Sequence, residues 1–145
     1  MTEVAFHFGA PDRLAYVCRL LRKAVGSGAR VVVLADTDVV QQIDADLWAL
    51  SATDFVAHCT SAAESSVQNW SPVVLVTDLA HATGPRQVLL NLAESVPRGF
   101  DQFERLIEVV SKDGADRDPA RRRWKQYTER GYPITRHDLA VKGPN

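Results

Sequence analysis

The hydrophobic positions of this chain alternate between short, mostly apolar runs and longer segments in which apolar residues recur with a helical period. Short runs rich in valine are typical of strands that are buried on both faces of a parallel sheet. They predict five strands, at Val4–Phe8, Arg30–Leu34, Val73–Val76, Val88–Leu92 and Leu106–Val110. Periodicity alone leaves Val88–Leu92 open between strand and helix, and the shortness of this run favours a strand.

The longer periodic segments predict three helices, at Asp12–Val25, Thr37–Trp48 and Pro119–Arg130. Asp12 and Asp36 stand at the starts of the first two, where an aspartate side chain accepts hydrogen bonds from the first free backbone N–H groups. Gly131 and Pro133 follow the third helix and prevent it from continuing.

The segments between these elements are less regular. We expect short extended pieces at Phe55–His58 and Pro133–Ala140, a loop at Ala62–Trp70 and a polar turn at Asp113–Asp118.

Together the elements predict an α/β protein, with a single-domain, Rossmann-like three-layer fold and a mixed, mostly parallel sheet. The strand–helix–strand–helix opening predicts right-handed crossovers. A chain of 145 residues is long enough for one domain with a substantial core and too short for two. We expect one domain over residues 1–141 and a frayed tail over residues 142–145.

Charge is unevenly distributed along the chain, although the net charge is only −1. Between Arg117 and Arg136 seven Lys or Arg residues stand against two acids, whereas the rest of the chain has ten against sixteen. The body of the protein should therefore repel nucleic acid, and one basic segment should attract anions. We expect no strong direct binding of nucleic acid.

The cellular compartment can be predicted from the cysteines and from the absence of long apolar runs. Cys18 and Cys59 lack metal-ligand spacing, which predicts reduced thiols in a cytoplasmic protein, with Cys18 in the core. No apolar run is long enough for a membrane span, and the first residues lack the pattern of a signal peptide. We therefore expect no membrane partner.

The usual motifs of α/β enzymes are missing from the sequence. Gly26-Ser27-Gly28 follows a helix rather than a strand, and no phosphate-binding loop motif occurs. The four histidines lack zinc spacing, and His58 is expected to be half-buried with its hydrogen bonds satisfied. We therefore assign no catalytic residue, metal or cofactor. The alternative is a nucleotide- or metal-dependent enzyme that uses Asp36 and Asp38, acids that follow a strand. For Asp36 a simple capping role is the competing interpretation.

The last predicted helix carries an apolar stripe beside a basic one. Its apolar positions are Ala120, Trp124 and Tyr127, and its basic positions are Arg117, Arg121 and Lys125. Charged stripes usually only solvate a helix above its core stripe. The alternative interpretation is a surface for an acidic peptide that also carries an apolar residue.

The sequence resembles the chi subunit of bacterial DNA polymerase III over nearly its whole length. The resemblance rests on an ordered set of short segments, namely Phe6-His7-Phe8, Cys18, Leu47-Trp48, Phe55-Val56-Ala57-His58, Val88–Leu92, Phe103–Val110, Ala120–Tyr127 and Gly131-Tyr132. The chain departs from the family pattern at Trp124, where a tyrosine is found, at Arg117, where a lysine is found, and at Ala57, where a proline often occurs. The first two departures keep an aromatic wall and a cation.

The resemblance implies a non-catalytic replication adaptor with a Rossmann-like fold and no bound nucleotide. In the family, chi joins the clamp loader through the psi subunit and binds the acidic C-terminal tail of single-stranded DNA-binding protein. Carried over, this implicates a tail site at Val110, Arg117, Arg121, Trp124 and Lys125, and a psi-facing surface at Trp48 and Phe55. We expect Arg121 to contribute more to tail binding than Arg123, which should lie further round the helix in solvent.

Overall fold

Seven strands form one sheet in the computed structural model of the chain, which describes residues 1–50 and 56–139. In chain order the strands are β1 (Glu3–Ala10), β2 (Val31–Leu34), β3 (His58–Thr60), β4 (Val73–Val76), β5 (Val88–Asn91), β6 (Arg105–Ser111) and β7 (Ile134–Asp138). The helices are α1 (Arg13–Gly26), α2 (Thr37–Trp48), α3 (Ser65–Trp70) and α4 (Gly114–Glu129), and short 3₁₀ turns occur at Leu79–His81 and Phe100–Gln102.

The sheet has the strand order β3-β4-β2-β5-β6-β1-β7, and every pairing within the described ranges is parallel. The predicted α/β fold is confirmed. The described sheet is entirely parallel rather than mixed, because each connection between consecutive strands returns the chain to the end of the sheet at which strands begin. β3 and β7 are the two edge strands, and they lie at opposite ends of the sheet.

Two apolar layers hold the helices against the sheet. On one face α1 and α2 bury Val17, Leu21, Ile43 and Leu47 against β2, β4 and β5. On the other face α4 buries Tyr127 in a cluster that also contains residues of β1, β2, β4, β5 and β6. All four residues of β2, β4 and β5 are buried, as expected for central parallel strands.

The five predicted strands and three predicted helices are all present, with ends that differ by a few residues. Val88–Asn91 is a strand, which confirms the interpretation from length. The C-terminal extended piece is also confirmed, as β7. Cys18 is buried in the core, as expected. Residues 51–55 and 140–145, which include Phe55 and the predicted frayed tail, lie outside the described residues.

The predicted turn at Asp113–Asp118 is wrong, because α4 already begins at Gly114. The start of this helix is held by tertiary and capping contacts rather than by the later proline. The Asp113 carboxylate caps the helix by accepting from the Ala115 N–H at 3.1 Å. The Asp116 carboxylate accepts from the Ser111 N–H at 2.6 Å and pairs with Arg13 at 3.1 Å. These contacts offset the backbone hydrogen bond lost at Pro119 inside the helix.

The predicted loop at Ala62–Trp70 is also wrong in part, because it contains the short helix α3. The buried residue of α3 is Gln68, so the segment has no apolar stripe that periodicity can detect. Its side-chain amide donates to the Ala63 carbonyl at 3.0 Å and accepts from the Thr83 N–H at 3.2 Å. Such hydrogen bonds allow a polar side chain to replace an apolar one in the interior.

A buried polar cluster fastens α4 to β6. The Glu108 carboxylate, fully buried on β6, accepts from Arg123 Nε at 3.0 Å, from the Tyr127 hydroxyl at 2.6 Å and from the Asn91 amide at 3.0 Å. Arg123 also donates to the Glu94 carbonyl at 2.9 Å. The expectation that Arg123 lies in solvent is wrong, since its exposed fraction is only 2%. The helix turns this residue toward a carboxylate that only the folded sheet supplies.

Burial raises the pKa of the Glu108 carboxyl, and the Arg123 guanidinium with the hydrogen bonds to this carboxylate opposes the rise. Burial and the adjacent carboxylate also raise the pKa of the Tyr127 hydroxyl, which therefore stays a proton donor. The charge on Glu108 is thus tolerated only while its partners are in place.

Replacing Arg123 by alanine should destabilise the fold by about 3–5 kcal/mol, because Glu108 is left buried without its cation. Without this cation the pKa of Glu108 rises further above the ordinary carboxyl value of 4.5, so the folded variant holds a proton that the unfolded chain releases. The free energy of unfolding of the variant should therefore fall as pH rises, and chemical denaturation at about pH 5 and about pH 8 measures this.

The matched control is Arg122→Ala, which removes the same charge from the exposed side of the same helix. It should change stability by less than about 0.5 kcal/mol at either pH. Equal effects of the two substitutions would contradict a structural role for the buried ion pair.

Candidate functional site

A groove of about 430 Å³ runs between α4 and the end of the sheet formed by β6, β1 and β7. We call it the basic groove. It is lined by three arginines and five apolar residues, namely Arg117, Arg121, Arg136, Phe6, Phe8, Val110, Ala120 and Trp124.

The strand wall of the basic groove follows from alternation along β1 and from the register of its neighbours. Phe6 and Phe8 are two residues apart, so their side chains lie on the same face of the sheet. Phe6 pairs with Arg136 of β7, and Phe8 pairs with Val110 of β6. Residues paired across parallel strands project to the same side, which brings all four to the face that α4 covers.

The floor of the basic groove is aromatic. The rings of Phe6 and Trp124 lie 4.9 Å apart between centroids in a tilted arrangement, and Phe6 also contacts Tyr127 below. Phe6 is buried, whereas Phe8 and Trp124 are half-buried and keep part of their surface open to the groove. This floor can take up an apolar side chain, since aromatic surface removed from water is stabilising.

The rims of the basic groove are cationic. On the helix side Arg117 and Arg121 are exposed, and Arg121 Nη1 lies 3.8 Å from the Asp118 carboxylate, a pair in which both side chains are largely in solvent. On the strand side the Arg136 guanidinium lies 5.0 Å from the Phe8 ring centroid and 5.8 Å from that of Trp124. Within residues 1–50 and 56–139, neither Arg117 nor Arg136 forms an ion pair with a carboxylate.

Four of the five residues expected to form one site lie together in this groove: Val110, Arg117, Arg121 and Trp124. Lys125 does not line the groove, and its ammonium group instead lies 4.0 Å from the Glu129 carboxylate on the exposed side of α4. The structure therefore brings together an apolar floor and several cations, and this combination suits an acidic peptide with an apolar residue.

Besides Ala120 of α4, three lining residues were not assigned to this site from the sequence: Phe6, Phe8 and Arg136. They lie on the first and last strands, and only the pairing of β1 with β7 places them beside α4. The alternation in Phe6-His7-Phe8 was an available signal, because it places two phenylalanines on one face of a strand.

A second exposed surface lies at the opposite edge of the sheet, where α2 ends beside β3. It consists of Trp48, Val67 and Trp70, and we call it the tryptophan patch. The exposed fraction is 63% for Trp48 and 86% for Trp70. A shallow depression of about 510 Å³ passes between them. The expected exposure of Trp48 is confirmed, whereas its proximity to Phe55 involves a residue outside the described part.

His58 supports this surface from beneath. Its Nδ1 lies 2.7 Å from the Val56 carbonyl oxygen and its Nε2 lies 2.9 Å from an Asp44 carboxylate oxygen. The Trp48 ring meets the imidazole edge to face, with centroids 5.2 Å apart. The expected hydrogen-bonded histidine is confirmed: the residue as a whole is half-buried, and its imidazole is buried against the Trp48 ring.

The acids of the enzyme alternative are both exposed. Asp36 is the N-cap residue of α2, although its side chain makes no capping hydrogen bond, and Asp38 stands in the first turn of that helix. Across the described residues, no group of three or more His, Cys, Asp or Glu side chains is arranged to hold a metal ion. Nor does any helix in those ranges have the length and apolarity to cross a membrane.

Comparison with known proteins gives a consistent result over the length of the chain. Residues 1–135 match the family model described as DNA polymerase III chi subunit, HolC. The DNA polymerase III subunit chi of Pseudomonas aeruginosa is 34% identical over 145 aligned residues, which cover 96% of this chain and 98% of that protein. The subunit of the same name from Haemophilus influenzae is 26% identical over 123 aligned residues, covering 84% of each chain.

The three tryptophans should differ in their accessibility to a neutral quencher. In variants that keep one tryptophan and replace the other two by phenylalanine, acrylamide should quench Trp70 most strongly, Trp48 next and Trp124 least. This order follows their exposure, since Trp124 packs on Phe6 and lies under Arg136. Stern–Volmer constants measure it. If Trp48 were as protected as Trp124, the tryptophan patch would not be an open surface.

Proposed function

We propose, starting from the fact that the chain belongs to the family of DNA polymerase III chi subunits, that it is a non-catalytic replication adaptor. In this proposal it links the clamp loader, through a psi subunit, to the acidic C-terminal tail of single-stranded DNA-binding protein. It works beside the chromosome, in the cytoplasm, and uses no cofactor.

One observation carries this proposal: two surfaces of different chemistry lie at opposite edges of one rigid sheet. The basic groove adjoins β7, and the tryptophan patch adjoins β3. The edge strands are six strand spacings apart, or roughly 29 Å. Two partners can therefore bind to separate surfaces of the chain, as an adaptor requires.

The basic groove supports the assignment of the tail. In the proposed complex the apolar end of the tail packs against Val110 and Trp124, and its carboxylates face Arg121 and Arg117. Guanidinium groups form charge-assisted hydrogen bonds with carboxylates. The contact is small and partly ionic, so we expect micromolar affinity, on the order of −8 kcal/mol, that weakens as salt screens the charges.

The tryptophan patch supports the assignment of psi. Trp48 and Trp70 expose large apolar surfaces close together, and such surfaces on a soluble chain mark sites of protein contact. Tryptophan is also among the residues that contribute most to binding when it is buried at the centre of an interface. Phe55 belongs to the same proposed surface by family resemblance.

Replacing Arg121 by alanine should weaken the binding of a synthetic tail peptide by roughly 1.5–3 kcal/mol, the range for hydrogen bonds to charged groups. The fold should be unaffected, because the side chain is exposed and its pairing with Asp118 is loose. Titration calorimetry at low and moderate salt measures the affinity, and thermal unfolding checks the fold.

The matched control is Arg122→Ala, since Arg122 carries the same charge on the same helix and does not line the groove. Arg123, which is buried, is unsuitable for this purpose. Equal losses from Arg121→Ala and Arg122→Ala would show a diffuse electrostatic attraction and would exclude a defined tail site.

Replacing Trp48 by alanine should weaken the complex with the psi subunit of the same organism by roughly 2 kcal/mol or more. Affinity for the tail peptide should stay unchanged, because Trp48 and the basic groove lie at opposite edges of the sheet. Gel filtration and titration of purified psi provide the measurement. Arg121→Ala serves as the reciprocal control and should leave psi binding intact. A Trp48 variant that binds psi normally would exclude this surface.

A further inference from the structure

We propose that the edge strand β7 pairs with β7 of a second copy of this chain. The two strands would run antiparallel about a two-fold axis at His137, so that Arg136 of each copy lies opposite Asp138 of the other. Such a pairing would continue the sheet from one copy into the next. It is independent of the proposed function, because self-association requires neither an acidic tail nor psi.

β7 offers a sheet edge to which another strand can be added. It is the last strand on its side of the sheet, and within the described ranges it is paired with β1 alone. An edge strand presents a row of backbone N–H and C=O groups that can pair with a strand of another chain. Charged side chains usually discourage such pairing. On β7 the charges are one cation and one anion, so the outcome depends on how two copies are aligned.

The backbone groups that face away from β1 belong to alternate residues. The Leu139 N–H donates to the Phe8 carbonyl at 2.9 Å, and Phe8 lies opposite Asp138 in the parallel register. In a parallel pair a residue bonds to the two neighbours of the residue opposite it, so His137 and Leu139 direct backbone groups toward β1. Arg136 and Asp138 therefore direct theirs outward, where a second strand can reach them.

Charge selects one register among the symmetric arrangements. In an antiparallel pair the residues whose backbone groups face outward lie opposite each other and exchange both hydrogen bonds. An axis at Arg136 would place each guanidinium opposite its own copy, and like charges directly opposite are destabilising. An axis at Thr135 would place Arg136 opposite the apolar Ile134. An axis at His137 places Arg136 opposite Asp138 of the second copy, twice by symmetry, and opposite charges stabilise such a pair of strands.

The two charged side chains also share one face of the sheet. Arg136 and Asp138 are two residues apart on β7, so they project to the face on which Phe6 and Phe8 lie. Arg136 is exposed, and its guanidinium is held near the edge by the Phe8 ring, 5.0 Å from the ring centroid. In the described part of the chain it forms no ion pair with a carboxylate. Opposite residues of a hydrogen-bonded pair have Cα atoms about 5.5 Å apart, a distance that these two side chains can bridge.

The other face of β7 carries His137, which would lie on the two-fold axis. Its ring already stands 4.5 Å from that of His7, its neighbour on β1, between centroids. Across the axis the two copies of His137 would form a pair without backbone hydrogen bonds, in which side chains approach most closely. Flat rings can pack against each other there, so this face presents no bulky side chain that would keep the strands apart.

The association should be weak. β7 has five residues, and an interface based on so short a strand buries less than the roughly 1,200 Å² at which stable interfaces begin. We therefore expect a dissociation constant of about 100 µM, with the chain monomeric at about 1 µM.

Sedimentation velocity of the full chain from about 10 µM to about 1 mM tests the pairing, and the sedimentation coefficient should rise with concentration. Arg136→Asp and Asp138→Arg each place like charges opposite one another, so each should raise the dissociation constant at least about tenfold. The double variant, with both substitutions, exchanges the two charges and should restore the association. The matched control is Arg122→Asp, the same charge reversal on α4, which should change nothing.

A mixture of the two single variants gives the sharpest test. Arg136→Asp has carboxylates at both positions, and Asp138→Arg has guanidiniums at both, so each should be monomeric alone. Mixed in equal amounts they should associate with each other, because both cross-strand pairs are then oppositely charged. Arg136→Asp mixed with Asp118→Arg, which makes the same charge change at an exposed position of α4, should stay monomeric.

Three results would each overturn the proposal: an unchanged chain that is monomeric at about 1 mM, single variants that associate as the unchanged chain does, or a mixture that stays monomeric. Thermal unfolding verifies the fold of each variant. Should Asp138→Arg fail to fold, the comparison of Arg136→Asp with Arg122→Asp still decides, since both positions are exposed. None of these results bears on the tail site or the tryptophan patch.

Discussion

The structure depends above all on the buried contact between Glu108 of β6 and Arg123 and Tyr127 of α4. An uncompensated carboxylate in this position would be costly, so the helix is stable only in the arrangement that presents both partners to it. A rotation of α4 that withdrew either partner would leave the carboxylate incompletely bonded. The orientation of α4 about its axis also determines where Trp124 and Arg121 lie. The buried ion pair therefore fixes the geometry of the basic groove, although it does not line the groove.

The all-parallel sheet explains why the two exposed surfaces lie at its ends. Its central strands, β2, β4 and β5, are covered on both faces and offer nothing to a partner. The exposed Trp48 and Trp70 lie beside the edge strand β3, and the basic groove lies beside the edge strand β7. A sheet of this kind deforms little, so it holds the basic groove and the tryptophan patch at a constant separation. This rigidity suits the proposed role of an adaptor between two partners.

The helix wall of the basic groove could be predicted because its residues are neighbours in sequence. Arg117, Arg121 and Trp124 share one side of α4 through the helical period alone, and Val110 was added by family resemblance. The strand wall could not be predicted in this way. Phe6 and Arg136 lie near opposite ends of the chain, and no local period connects them; the pairing of β1 with β7 does. The predicted site therefore contained half of the residues that line the groove. It also included Lys125, which continues the basic stripe by helical spacing but lies outside the groove.

The sequence by itself determined the type and order of the elements, since hydrophobic periodicity is a local property that each strand and helix carries within its own residues. The limits of α2 and β4, for example, agree with those read from the pattern. Tertiary structure decided which polar residues are buried. Arg123 and Gln68 look like surface residues in the sequence, yet both are interior because the fold brings them hydrogen-bonding partners from distant segments. The start of α4 was decided in the same way, by contacts of Asp116 with Arg13 and Ser111. Burying a charge costs desolvation free energy that only a well-placed partner offsets, and the position of that partner is a property of the folded chain.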